Sequence, residues 1–569
     1  MHGFFGSYGK YCEYNLSPFK ESTFVQRTLD EEPLHLTQVT QPKFLNDKYF
    51  VEKDGCFLAT EGVLFEADTA EEAITRYKNG EKAFWQSWRG TFAGVFYDKR
   101  ANTLLVFNDH TGSKMLFYTR TEKGFFFASD PYILARATGA EAIDENYLWQ
   151  MLLYGYSPVN ETVYASIHRL GAGEYIRICG EDTELNIYHR FDNTPNGLSL
   201  KENIERIDAA FRQAVTRAVR KNEQYGYTHF MPLSAGLDSR MTNRVAHEIA
   251  TTPIHHITYS QSGYYDETTP RELAQYWQQP IHFTALDGGD CLQLLDATSR
   301  LTCGLVHYSG AAETLYGLPE EARTQCGLFL TGMLGDIVVG TAYTQRNNKQ
   351  PYHISEGAVI HGYNRQSQQS LPDNFTSLYT NREIYYLYVR GFRCANLGSP
   401  LVHQAFGESY SPFCDVDVLN AALAAPVQQR WRHRLYDQWI LGRYPDMAQW
   451  KHNGTAVIGH RPLTFNLSGH VMPLKDIPKR TVWYILRKLR IHDFYKETEG
   501  RSMTPEDDWF AANDALREWS ENYVQNHMTL LDSFPEIRQV AKTLSRGKAM
   551  EKMQVLSLLA CLRQTSERS

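Results

Sequence analysis

The chain runs in two hydrophobic rhythms, and the change between them falls near residue 195. In TFAGVFYDKRANTLLVFND (91–109) two apolar, β-rich runs flank a polar Asp-Lys-Arg-Ala-Asn turn, the pattern of a hairpin. KMLFYTRTEKGFFFASD (114–130) repeats the design with Lys123-Gly124 in the turn. The first part therefore predicts an antiparallel sheet, with helices over 69–80 and 143–154. Near FDNTPNGLSLKENIERI the character shifts: Asn193, Pro195, Asn196 and Gly197 read as a linker, and Ser199 precedes a helical run over about 201–222. Helical stretches then alternate with the short apolar runs THFMPLSAG, PIHHITYS, PIHFTAL and GLFLTGM, the order of a parallel sheet in an α/β layer. From about residue 410 onward helix is expected, without strands. KRTVWYILRKLRIHDFYK (479–496) reads as an amphipathic helix with a buried Trp/Ile/Leu stripe, or as a basic segment docking on an anionic surface. The expected fold class is α+β followed by α/β, with domains at 1–195 and 196–569.

Composition narrows the function classes. A net charge of −7 over 569 residues gives no support to a nucleic-acid binder, which would be basic. The start MHGFFGSYGK lacks a secretory pattern, and no apolar stretch approaches the roughly 20 residues that span a bilayer. Nine scattered cysteines without a CxxC pair indicate neither a disulfide framework nor a zinc site, so a cytoplasmic protein is expected. The aromatic fraction of 13%, with 35 tyrosines, points to aromatic packing in the core, with a recognition surface as the alternative.

One octapeptide, LSAGLDSR (233–240), carries candidate chemistry. The order strand, glycine-containing turn, helix places backbone N–H groups and the positive end of a helix dipole where an anion can sit. Ser234 and Ser239 add hydroxyl donors, and Asp238 has the charge to hold Mg²⁺ against phosphate oxygens rather than to hold phosphate itself. An N-cap cluster in a plain strand-to-helix turn is the alternative. The loop is not a Walker A motif, because GxxxxGK[ST] is absent.

Ser-x-Gly-x-Asp-Ser after a strand resembles the pyrophosphate-binding loop of ATP pyrophosphatases, and more closely that of the asparagine synthetase family. TGMLGDIVVGTAY (331–343) resembles that family's second Mg-site motif, GxGxDE followed by a glycine and an aromatic, through Gly332, Gly335, Asp336, Gly340 and Tyr343. YSPFCDVDVLNAALAAP (410–426) is similar to its PFLD segment and following helix. MHGFFGSYG and GTFAGVFYDKRANTLLVFNDHTGSKMLFY resemble the start and the hairpins of a class II glutamine amidotransferase domain. The resemblance runs from residue 1 to about 460. It implies an Ntn-hydrolase-like antiparallel β-sandwich followed by a parallel-sheet ATP-pyrophosphatase domain with a helical C-terminal part. It also implies ATP and Mg²⁺ as cofactors, with Asp238 and Asp336 as metal ligands. Leu233, Ser234, Gly236, Asp238, Ser239, Thr258, Tyr259 and Gly332 would hold ATP and pyrophosphate. Lys451 is placed like the lysine that stabilises charge on an adenylated intermediate, with a solvent lysine as the alternative. A homodimer is compatible with the resemblance; nucleic acid and a transmembrane segment are not expected.

The departures are selective. The family's nucleophilic cysteine after the initiator methionine is His2 here, and imidazole does not replace that thiolate in acyl transfer. Cys12 reads as a small core residue or a shifted nucleophile. The HRGPD segment has no clear counterpart, and the NGE triplet appears as Glu61-Gly62-Val63. The glutaminase is therefore expected to be inactive. In the second motif the glutamate thought to accept a proton from ammonia is Met333, and the trailing glutamate is Ile337. A thioether is no general base. Replacement candidates are His307, Tyr308 and Glu313, just before the motif strand. The expected activity is an ATP-dependent amide-forming ligase that adenylates a carboxylate for attack by an amine, in cyclisation or peptide modification. Amidation of a sugar acid or other small carboxylate with ammonia, and a non-catalytic ATP-binding relative, are the alternatives.

Overall fold

The computed structural model describes residues 2–19, 23–340, 343, 379, 381–450, 457, 464–467, 470–473 and 502–566. Twelve strands precede residue 190 and form two antiparallel sheets. One sheet orders β10 (His168–Arg169), β8 (Phe117–Thr121), β9 (Gly124–Ala128), β1 (Gly3–Gly9), β3 (Leu34–Thr40) and β2 (Val25–Glu31). The other orders β12 (Asp182–Ile187), β11 (Glu174–Cys179), β7 (Thr103–Asn108), β6 (Arg89–Asp98), β5 (Cys56–Glu66) and β4 (Phe50–Lys53).

Two-residue periodicity explains why the sheets face each other. Phe57 and Ala59, Val95 and Tyr97, Leu104 and Val106, and Ile176 and Ile178 share one buried cluster with Phe4, Leu36, Phe125 and Phe127 of the other sheet. The alternate residues Leu58, Phe92, Phe96 and Phe107 pack outward on α1 (Ala70–Lys78) and on Trp85, whose ring stacks 4.1 Å from that of Phe107. On the far side, Phe5 and Phe126 pack on α2 (Pro131–Thr138) and α3 (Glu145–Tyr154). The result is a helix–sheet–sheet–helix sandwich. Both expected hairpins and both expected helices are present; α2 is additional, started by Asp130-Pro131 and stopped at Gly139 with φ 73°.

After α4 (Leu200–Gln224), begun by a Ser199–Glu202 capping box, the chain builds a parallel sheet. β13 (His229–Pro232) pairs with β14 (Ile254–Ser260), and β14 with β15 (Ile281–Ala285). β16 (Leu328–Leu330) pairs with β17 (Glu408–Tyr410), and a parallel bridge from Thr228 to Cys326 joins the two pairs. The order is thus β15-β14-β13-β16-β17. α5 (Leu237–Ile249) follows β13, α6 (Tyr265–Trp277) follows β14, and α7 (Leu295–Leu301) and α8 (Ser309–Gly317) precede β16. The strand order reverses at β13, so the loops after β13 and β16 flank a switch point at the carboxyl edge, where ligands bind in such sheets.

The strand-free C-terminal part is corrected. β17 ends at Tyr410, and a hairpin pairs Thr464–Leu467 with His470–Pro473. Three residues of β17 are too few to leave a readable period in the sequence. The segment 479–496 lies outside the described residues. The helix Ala549–Ser566 is buried on nearly every side, with Leu556, Leu558, Leu559 and Cys561 inaccessible. It packs on α3 and α7, and Tyr132 Oη lies 3.7 Å from Cys561 Sγ. Among the described residues no helix is long and apolar enough to cross a membrane, and all nine cysteines are unpaired.

Candidate active site

The turn after β13 is built for something other than helix capping. Gly236 occupies the N-cap of α5, and no side chain among the described residues caps that helix. The hydroxyls of Ser234 and Ser239 lie 2.8 Å apart and accept from the loop itself. Ser234 N donates to Ser239 Oγ at 3.0 Å, and Gly236 N donates to Ser234 Oγ at 3.1 Å. Ala235 N donates to the Asp266 carboxylate in the first turn of α6 at 2.6 Å. Among the described residues the first-turn N–H groups of α5 have no side-chain cap, which suits an anion.

The loop after β16 touches this turn. A Cβ on Gly332 would lie 2.2 Å from Ser239 N, and one on Gly335 would lie 2.6 Å from Asp238 Cγ. Only glycine lets the two loops meet. Asp238 Oδ1 accepts from the Tyr436 hydroxyl at 2.7 Å, and Oδ2 accepts from Asp336 N at 2.9 Å. Burial, then the neighbouring Asp336 carboxylate, push the Asp238 carboxyl from 3.8 to about 7, against the pull of those two hydrogen bonds. No ion pair to Asp238 occurs among the described residues. Two acids so placed suit a cation shared with phosphate oxygens. Gly332→Ala is expected to separate the loops, costing roughly 1–3 kcal/mol of stability. Denaturation of that variant checks it; native stability would show the close approach to be unnecessary.

Arg240, the last residue of the octapeptide, is fully buried. It donates to Ala235 O at 2.9 Å, to Met447 O at 3.2 Å and to Trp450 O at 2.9 Å, tying the loop to the chain entering position 451. Lys451 itself lies outside the described residues. Leu233 is buried, with its N–H on Ile257 O, and Thr258 Oγ1 donates to Asp266 O at 2.5 Å. Tyr259 turns to the other face of β14, its hydroxyl 2.9 Å from Thr314 Oγ1 on α8. Tyr308 and Glu313 belong to that second group, apart from the serine loop. His307, 3.1 Å from Ser309 Oγ, is lowered to about 4 by burial and is neutral near pH 7. Met333 and Ile337 pack against the core, and Met333 O accepts from Ser411 Oγ at 2.7 Å. Tyr436, Asp266 and Arg240 carry no assignment from the sequence: Tyr436 and Asp266 lie outside every motif, and Arg240 ends the octapeptide without a stated role.

The N-terminal residues converge elsewhere. The His2 side chain is 8% exposed; Nε2 lies 3.0 Å from Gln404 O and Nδ1 3.3 Å from Glu61 Oε1. Glu61 also accepts from Thr40 Oγ1 at 2.7 Å and Gln38 Nε2 at 3.1 Å. Lys48 Nζ sits 3.7 Å from Glu61 and 3.5 Å from Glu408, and Lys114 pairs with the other oxygen of Glu408. Burial pushes the Glu61 carboxyl up, but Lys48 and then His2 hold it down at about 2. Gln41 donates to Gln404 O and Ala405 O, so the pocket around residue 2 is closed by the segment leading into β17. The Cys12 thiol lies 2.9 Å from Ala137 O and is raised by burial, the opposite of an activated thiolate. Between Thr91, Thr111 and Ser113 on one side and Met333 and Ser411 on the other is a cavity of about 30 Å³, room for one water.

These features meet known families in two consecutive stretches. Residues 57–189 match a glutamine amidotransferase domain, and residues 206–385 match asparagine synthase, together more than half of the chain. The chain belongs to the asparagine synthetase family. Within that family it is 23% identical over 220 residues to asparagine synthetase [glutamine-hydrolyzing] 1 of Bacillus subtilis (strain 168). That alignment takes in 38% of this chain and 34% of the relative, so the chain matches about a third of that enzyme. Among solved structures, glutamine phosphoribosylpyrophosphate amidotransferase of B. subtilis aligns at 13% identity over 42% of this chain and 56% of its own, with a TM-score of 0.19. An allosteric regulatory enzyme of purine biosynthesis aligns at 11% identity over 52% and 71%, with a TM-score of 0.21. Overlaps that slight carry no argument about this member of the asparagine synthetase family.

Proposed function

We propose that the chain is an ATP-dependent amide-forming ligase, with an inactive amidotransferase-like domain at 1–195 and a synthetase domain at 196–569. The observation that carries the reading is the contact between the uncapped serine loop with Asp238 and the Gly332–Asp336 loop. The first-turn N–H groups of α5 and the hydroxyls of Ser234 and Ser239 would hold the β- and γ-phosphates. Leu233, Thr258, Gly332 and the backbone at Tyr259 would border the adenine. Asp238 and Asp336 fit Mg²⁺, which would supply charge neutralisation at the phosphates. A substrate carboxylate oxygen bonds to the α-phosphorus as the bond to pyrophosphate breaks. The amine nitrogen then bonds to the acyl carbon, the bond to AMP breaks with its electron pair, and the ammonium proton passes to a base. Lys451 would face the developing oxyanion.

His2, clamped between Gln404 and Glu61, favours an amine carried by a substrate, or free ammonia, over glutamine. The acceptor and donor are best supplied by one molecule, in cyclisation or peptide modification. Incubation with ATP, Mg²⁺ and amine-bearing acids is expected to release AMP and pyrophosphate. Glutamine is expected to yield no glutamate, in the native chain and in His2→Cys alike, because Gln404 and Gln41 still close the pocket. Glutamate release by His2→Cys would reopen the glutaminase question, and absence of pyrophosphate with every amine-bearing acid would defeat the ligase reading.

A further inference from the structure

The helices Asp514–His527, Pro535–Leu544 and Ala549–Ser566 flank a groove of about 790 Å³. It lies on a part of the chain that neither family match, at 57–189 and 206–385, reaches. Its walls follow helical periodicity. Glu521, Val524, Gln525 and Met528 recur at steps of three and four residues along the first. On the second, Ile537, Ala541 and Leu544 are buried, and that inward face turns Arg538 and Lys542 to the groove, with Arg546 one step beyond. Lys552 and Leu556 of the third helix complete the lining.

The charge of this lining is one-sided. Arg538, Lys542, Arg546 and Lys552 face a single acid, Glu521, in a chain whose net charge is −7. Arg538 has a counter-charge in Asp532 at 3.0 Å. Lys542, Arg546 and Lys552 make no ion pair among the described residues. Lys552 Nζ is held over the Phe510 ring, 5.2 Å from its centroid. Like charges gathered along one trough repel each other, and a bound anionic surface offsets that repulsion.

The spacing selects the occupant. Arg538 and Lys542 are four residues apart on one helix, so their backbones are separated by about 6 Å along its axis. Acids one turn apart on a partner helix repeat that distance. Val524, Met528 and Leu556 add apolar atoms beside the cations. A helix with an apolar stripe next to its acids covers both, whereas a nucleic-acid backbone matches the charge alone. The negative net charge of the chain also opposes a long polyanion.

We propose that this groove docks the acidic face of an amphipathic helix from a partner protein. The site stands on the groove and its charges, and does not rest on the ligase reading.

Fluorescence anisotropy of the full chain with a labelled peptide tests it, the peptide carrying glutamate at every fourth position and leucine alongside. The acidic peptide is expected to saturate the native chain and to bind less tightly as salt is raised. The same peptide with lysine for glutamate is expected to bind about tenfold more weakly or worse. Lys542→Glu and Arg546→Glu, both at exposed positions, are each expected to weaken the acidic peptide about tenfold, with thermal melts unchanged. The comparison of the two peptides on the native chain stands even where a variant fails to fold. Absence of saturable binding, equal binding of the two peptides, or binding that survives both reversals overturns the proposal. Equal competition by oligothymidylate also overturns it, by making the groove a general polyanion site. Sedimentation of the peptide-free chain covers the remaining occupant: a native dimer that Lys542→Glu splits would assign the groove to a second copy and overturn the proposal as well.

Discussion

Asp238→Asn is expected to abolish pyrophosphate formation while leaving the chain at least as stable as the native protein at pH 8. Under the ligase reading the substitution removes one of two metal-binding carboxylates, for a loss on the order of 10²–10³-fold or more. The stability argument runs the other way. Burial and Asp336 raise the carboxyl from 3.8 to about 7, so the folded chain holds a proton there that the unfolded chain releases. Stability tied to this group is therefore greatest in acid and falls as pH rises from about 4 through 7, by at most about 1.4 kcal/mol per pH unit. Asparagine has no proton to lose and escapes that fall. It gives up the hydrogen bond from Asp336 N–H, worth about 1 kcal/mol. Thermal melts at pH 5 and pH 8, with a pyrophosphate assay, check both halves. A stable Asp238→Asn chain that still forms pyrophosphate would remove Asp238 from the chemistry.

Glu408→Ala is expected to cost about 3–5 kcal/mol, the largest loss of stability from any single truncation considered for this chain. Glu408 is 1% exposed and faces both Lys48 and Lys114, so removing it leaves the buried Lys114 ammonium without its carboxylate and Lys48 with Glu61 alone. Surface pairs such as Lys53–Glu71 set the contrast, since truncating either partner should cost less than about 1 kcal/mol. Acid reports on the same cluster with a definite sign. Glu61 is depressed from 4.5 to about 2, so its contribution is complete above 4.5 and is lost as pH falls toward 2. Glu61→Gln should flatten the part of the acid transition that this group contributes. Chemical denaturation of Glu408→Ala that matches the native chain would mean that the cluster relaxes or hydrates, and that its charges do not hold the two halves together.

What the sequence made legible follows how local each signal is. Both N-terminal hairpins and the four apolar runs of the parallel sheet carry their period within a few residues, and they appear where that period lies. The helix over Pro131–Thr138 was not expected: Asp130-Pro131 and Gly139 mark its ends, but its eight residues show little more than one amphipathic repeat. β17 and the 464–473 hairpin had no such mark. In the site, the serine loop and Asp336 are motif residues, and the structure brings them together. Tyr436 reaches Asp238 across 198 residues, from beyond the family match. Contacts of that kind depend on the tertiary fold, and nothing in the local pattern announces them.

The helix Ala549–Ser566 bears on how the chain must assemble. It lies inside the molecule, against α3 from the first two hundred residues and α7 from the middle, and its Gln564 O accepts from Arg136. Until it is synthesised, the apolar sides of those helices have no cover. Parts of the chain made early therefore wait, half-finished, for a part made several hundred residues later. Such an order lengthens the interval in which sticky surface is open, and it predicts heavier reliance on chaperones than the short hairpins of the sandwich would suggest. A release experiment that captures nascent chains before and after residue 549 would show when α3 becomes protected.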